Sequence, residues 1–116
     1  MALPDGFYWT TRSASNPEEP QAVIACDGVW IVSMSQWVDD GSWFASLDRH
    51  RHGPGGPARS CSSFAQGQAG AELWVARHQA RLRSDVAALT KYRQAVRANR
   101  LARTSVVLPF SWMAGE

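Results

Sequence analysis

Gln21-Ala-Val-Ile-Ala-Cys26, Asp27-Gly28 and Val29-Trp-Ile-Val-Ser-Met34 form the stretch on which the fold turns. Two apolar, β-branched runs flank an Asp-Gly pair, which favours a type I′ turn because both central positions need positive φ. The expected register sets Cys26 opposite Val29, Ala25 opposite Trp30, Ile24 opposite Ile31 and Val23 opposite Val32. One face then carries Cys26, Val29, Ile24 and Ile31, and the other Ala25, Trp30, Val23, Val32 and Met34. Both faces are apolar, whereas an antiparallel hairpin of a small domain usually leaves one face wet. A helix, the C-terminal tail or a partner must cover the second face.

Further strands are expected on either side. Gly6-Phe-Tyr-Trp-Thr-Thr-Arg12 is aromatic and β-branched, and a loop with two prolines (Ser13 to Pro20) separates it from the hairpin. Asp39-Asp-Gly-Ser42 is a second turn, and Ser42-Trp-Phe-Ala-Ser-Leu47 a third or fourth strand. Residues 1–48 therefore read as an antiparallel meander of three to four strands. Residues 49–62 hold Gly53-Pro-Gly-Gly-Pro57 and read as a long irregular loop. From Ser63 the period changes: Ala71, Val75, His78, Leu82, Val86, Leu89, Tyr92 and Val96 recur at three- and four-residue steps. This predicts one long amphipathic helix over 63–102, opened by a capping box at Ser63-Phe-Ala-Gln66 or, because Gly67 and Gly70 weaken the first turns, nearer Gln68. The apolar tail, 103–116, is expected to be a short edge strand or an extended segment on the sheet; Pro109 is tolerated at an edge. The expected class is α+β, in a single domain.

Charge is segregated along the chain. Residues 1–76 carry four Arg against eight acids, net −4, while residues 77–103 carry seven Arg and Lys91 against Asp85 alone, net +7. The formal total is only +2. Such a chain is built to recognise something charged or to be recognised by it. Arg77 and Arg81 lie one helical turn apart, and Arg93, Arg97 and Arg100 continue at four- and three-residue steps, a basic ridge expected away from the apolar stripe. Such a ridge fits nucleic-acid phosphates or an acidic protein surface; the plain alternative is a solvated face in an Arg-rich sequence. No helix-turn-helix pattern, zinc-finger spacing or RNA-binding aromatic pair accompanies it. Among six Trp, Trp43 adjoins Phe44, and strand alternation sends one of the two away from the helix. Trp43 is thus a second candidate binding residue, beside the acidic turn.

Other chemistry finds little support. His50-Arg-His52 with Cys61, His78 or Cys26 offers imidazole and thiolate, but the cysteines are single and the intervening arginines repel a cation. A nucleophile needs a His and an orienting acid held beside it. Cys26 sits next to the turn on an apolar face, where a small Cys is usually inert, and Cys61 in a flexible loop, a poor platform for that geometry. The Gly-Pro run lacks the Lys and Ser/Thr of a phosphate-binding loop. Asp39-Asp40 is explained by turn chemistry. The chain is therefore read as a non-enzyme with no cofactor and no metal. The start lacks the charged and apolar regions of a signal peptide, and no apolar run has the ~18 residues of a membrane span. Two Cys make no secreted disulfide framework, so a cytoplasmic location with reduced thiols is expected.

Gly6-Phe-Tyr-Trp-Thr-Thr-Arg12, the loop after it, Val23-Ile24 and Asp27-Gly28-Val-Trp30 resemble the opening of many small bacteriophage accessory proteins. The likeness covers the first third of the chain and transfers no site residue. It implies an anti-CRISPR or anti-defence style of function, in which a non-catalytic module occludes a surface of a host protein or nucleoprotein complex. A nucleic-acid binder using the basic helix and a homo-oligomer, such as a homodimer burying the doubly apolar hairpin or the tail, are the alternatives.

Overall fold

A computed structural model describes residues 3–13 and 18–107, apart from the side chains of residue 54 and of residues 103–107. The fold is α+β: an antiparallel meander in the order β1 (Phe7–Thr10), β2 (Val23–Cys26), β3 (Val29–Gln36), β4 (Trp43–Ser46), β5 (Ala58–Cys61), followed by one long helix. Among the described residues the sheet has five strands rather than three to four. The extra one comes from the Gly/Pro-rich segment, which is more regular than its composition implies. A helical turn, α1 (Arg49–His52), and a 3-10 turn (Gly53–Gly55) precede β5 within it. Ala58-Arg-Ser-Cys61 has little strand propensity of its own and is extended because it pairs with β4 along its length.

The Asp27-Gly28 turn forms with both residues at positive φ, 51° and 76°. Next to it the register is as expected, Cys26 with Val29 and Ala25 with Trp30. Beyond that the expectation fails by one residue: Ile24 pairs with Val32 and Val23 with Ser33, leaving Ile31 as the extra residue of a β-bulge. A one-residue slip exchanges the faces of everything beyond it. Val32 and Met34 thereby join the face of Ile24, and Ser33 and Ser35 take the other.

The Ile24 face meets the helix α2 (Phe64–Val107). Trp9 Nε1 donates to Glu72 at 2.8 Å, Trp43 packs on Phe64 with ring centroids 4.7 Å apart, and Met34 lies against Gly67. A Cβ at Gly67 would come within 2.3 Å of Met34 Cε and 2.8 Å of Cys61 Sγ, so this glycine sets how closely α2 approaches the sheet. Val75 and Leu82 of α2 are fully buried, with Ile24, Ile31 and Val32 of the sheet. Each such side chain contributes about 1.5–3 kcal/mol. The second face of the hairpin is covered as well: α1 packs on β3, and the Arg49 guanidinium lies 5.5 Å from the Trp30 ring centroid.

α2 starts at its capping box. Gln66 N donates to Ser63 Oγ and Ser62 N to Gln66 Oε1, both at 3.1 Å, so the helix begins at Phe64 despite Gly67 and Gly70. It also continues through Val107, five residues into the stretch read as tail. The remainder of that tail, with Trp112, lies outside the described residues. By internal packing the chain forms two units, Met1–Ser84 and Asp85–Glu116.

Candidate binding site

In the second unit every residue from Lys91 to Arg100 is exposed. A helix in a protein normally owes its stability to a buried face; this run relies on helix formers such as Ala95 and Ala98 instead. Leu89, Arg93, Val96 and Arg100 follow at steps of four, three and four and share one face, with Tyr92 and Arg97 at its margins. The ridge therefore does not lie away from the apolar stripe here. Arg93 and Arg100 interrupt it, and the result is a face alternating aliphatic groups with guanidiniums. Tyr92 is 66% exposed, and Val96 and Leu101 are exposed too. Among the described residues Arg93 and Arg97 have no ion-pair partner.

The other two arginines of the predicted ridge belong to the first unit. Arg77 is exposed. Arg81 is engaged internally: its Nη1 lies 3.0 Å from Asp48 Oδ1, its Nη2 donates to Asp48 Oδ2 at 3.3 Å, and its guanidinium lies 5.8 Å from the Trp74 ring centroid. Asp48 holds a left-handed conformation, φ 52°, and its carbonyl accepts from Arg51 N and His52 N, forming the turn of α1. Arg81 thus fastens the β4–β5 connection to α2.

Trp43 is half-buried on the helix-facing side. Its neighbour Phe44 points the other way, as alternation requires, and stacks on Trp37 with centroids 4.3 Å apart. Trp37, at 49% exposure, is the Trp at the surface beside the acidic turn. In that turn Ser42 donates to Asp40 Oδ1 from its N (2.9 Å) and Oγ (2.7 Å), bonds that hold the Asp40 carboxyl below the usual carboxylate range.

Both thiols are shifted toward the protonated form. Burial pushes the Cys26 thiol up, Asp27 adds to the rise and Arg83 opposes it. Burial also raises Cys61, whose Sγ donates to the Arg59 carbonyl at 3.6 Å. A raised thiol keeps its proton, the opposite of what a nucleophile or metal ligand needs. Among the described residues no three His, Cys, Asp or Glu side chains group to hold a metal ion. His78 Nδ1 contacts Trp74 O at 2.8 Å. No helix among the described residues is long and apolar enough to cross a membrane.

The exposure of Tyr92 and Val96 was hidden in the periodicity, which reads them, with half-buried Leu89, as a continuation of the core stripe. The signal against that reading was Arg93 and Arg100 falling at the same spacing. Neither a protein-family model, nor a curated protein, nor a solved structure matches this chain.

Proposed function

We propose that the chain is a non-catalytic protein-binding module that docks the face Leu89–Arg93–Val96–Arg100 of its helix onto an acidic, partly apolar surface of a partner. The observation that supports it is the exposed helical run 91–100, in which aliphatic and guanidinium groups alternate along one face. Aliphatic groups give nothing to a phosphate backbone, whereas a protein surface can bury them while its carboxylates take the guanidiniums in bidentate pairs. A second copy using the same face would bring Arg93 and Arg100 against like charges, so a partner of opposite charge is the better match. In the manner of small phage-encoded inhibitors, the module would act by covering a surface of a host nucleoprotein complex. The acidic first 76 residues would orient its approach through long-range charge.

The test is capture from nuclease-treated bacterial lysate with three proteins: wild type, Arg93→Glu/Arg97→Glu, and Tyr92→Ala/Val96→Ser. A protein retained by wild type and lost by both variants, with helicity unchanged by circular dichroism, supports the reading. Retention found only in untreated lysate transfers the site to nucleic acid, and retention that survives nuclease but ignores Tyr92→Ala/Val96→Ser overturns the apolar part of the contact.

A further inference from the structure

In the first unit, and independent of the exposed helical face, the sheet ends at an open edge beside a cavity. Among the described residues β5 pairs with β4 alone. Leu47 N donates to Pro57 O at 2.9 Å, which makes Leu47 and Pro57 opposed residues of the hydrogen-bonding kind. Such positions alternate along an antiparallel ladder, so Arg59 and Cys61 are the β5 residues whose main chain bonds to β4, opposite Ala45 and Trp43. Ala58 and Ser60 therefore turn their N–H and C=O groups outward. The strand is exposed over Ala58, Arg59 and Ser60.

The same alternation puts Arg59 and Cys61 on the α2 side of the sheet. There a cavity of about 240 Å³ opens between β5 and the first turns of α2, lined among others by Leu47, Arg59, Cys61, Gly70, Ala71 and Trp74. At Gly70 an added Cβ would have only the Gln66 amide nearby, at 3.8 Å, so the helix wall has no side chain filling the space.

We propose that this edge is a strand-addition site for an extended peptide carrying one apolar side chain and, two residues away, a carboxylate. The outward main-chain groups of Ala58 and Ser60 would extend the ladder by one strand, the mode by which exposed sheet edges take peptides. On the added strand the residue beside Cys61 faces the cavity and meets Leu47, Ala71 and Trp74. Its same-face neighbour lies beside Arg59, where opposite charge is favoured across strands. Arg59 also argues against a second copy as the occupant. In the antiparallel register that joins Ala58 of one β5 to Ser60 of the other through their outward main-chain groups, the two Arg59 guanidiniums stand opposite each other.

The experiment is a titration of the ¹⁵N-labelled full chain with two probes at millimolar concentration, Ac-Thr-Glu-Val-Leu-Thr-NH2 and the reversed order Ac-Thr-Leu-Val-Glu-Thr-NH2. Saturable shifts of the Ala58 and Ser60 amides and the Trp74 indole are expected with one of them. Arg59→Glu should weaken that binding by about tenfold or more. Ser60→Pro, which deletes an outward N–H and leaves the β4 bonds of Arg59 and Cys61 in place, should abolish it. Arg93→Glu/Arg97→Glu should leave it unchanged, which separates this site from the helical one. No saturable shift with either probe, shifts centred on other residues, or equal affinity in Arg59→Glu would overturn the proposal.

Discussion

Arg81 and Asp48, thirty-three residues apart, meet in a two-point contact of 3.0 and 3.3 Å between guanidinium and carboxylate. This contact joins the helix to the connection that leads into the edge strand. Arg81 is 33% exposed and Asp48 16%, so solvent screens part of the attraction, and of the two approaches the Nη2–Oδ2 one is a hydrogen bond. A double-mutant cycle with Arg81→Met and Asp48→Asn, read by urea unfolding, should give a coupling of about 1 kcal/mol. Coupling indistinguishable from zero would make the contact incidental to the placement of α1 and β5.

Two glycines one turn apart on α2 should respond to alanine in opposite directions. At Gly67 the new methyl group meets Met34 Cε and Cys61 Sγ well inside contact distance, and overpacking of this kind costs about 1–3 kcal/mol. Gly70 has open space, so Gly70→Ala keeps the fold and gains up to about 1 kcal/mol of helix propensity. Thermal unfolding of the pair, with Tm lowered in the first and raised in the second, checks the closeness of helix and sheet at Met34.

Both cysteines should be slow thiols. Their raised folded-state values mean that the unfolded chain ionises first as pH rises, so the folded chain holds more protons and stability falls with pH in the alkaline range. Reaction with a disulfide reagent at pH 8 should be at least about tenfold slower for Cys61 than for free cysteine, and slower still for buried Cys26. Rapid modification of Cys61 would contradict the partial burial that raises its thiol.

Asp40 carries the opposite sign. Its folded-state value is depressed by the two Ser42 hydrogen bonds, so the associated stability is present above the unfolded value and lost as pH falls through the folded one. Ser42→Ala removes one donor, and carboxyl chemical shifts followed against pH should place the variant's Asp40 closer to the ordinary range. An unchanged titration would mean that the Ser42 hydroxyl is not the cause.

Legibility from the sequence varied with how local each cause is. The Asp27-Gly28 turn and the Ser63–Gln66 capping box are written in adjacent residues, and both form where they were expected. The bulge at Ile31 is not, because Ile31 and Val32 are equally apolar and either register satisfies them. Only the alternation Ser33-Met34-Ser35 carries the parity, and its meaning depends on knowing that Met34 must reach Gly67. β5 was masked by the glycines and prolines before it, since its extended shape comes from β4. At the candidate site the arginine spacing was plain, but the capture of Arg81 by Asp48 is a contact between distant residues that periodicity does not encode. Alternation separates Trp43 from Phe44; which of them faces α2 followed only from the sheet's position, and among the described residues the exposed indole is that of Trp37.

The most direct measurement is photocrosslinking from benzoylphenylalanine placed at position 92 of the full chain, in bacterial lysate treated with nuclease. Tyr92 stands at the margin of the aliphatic–guanidinium face and is largely exposed, so the probe reports what that face touches. A defined protein adduct, with the crosslink mapped to an acidic segment of the partner and lost when Arg93→Glu/Arg97→Glu is added, is the predicted result. Crosslinking to nucleic acid before nuclease treatment and to no protein after it would contradict the binding mode proposed here.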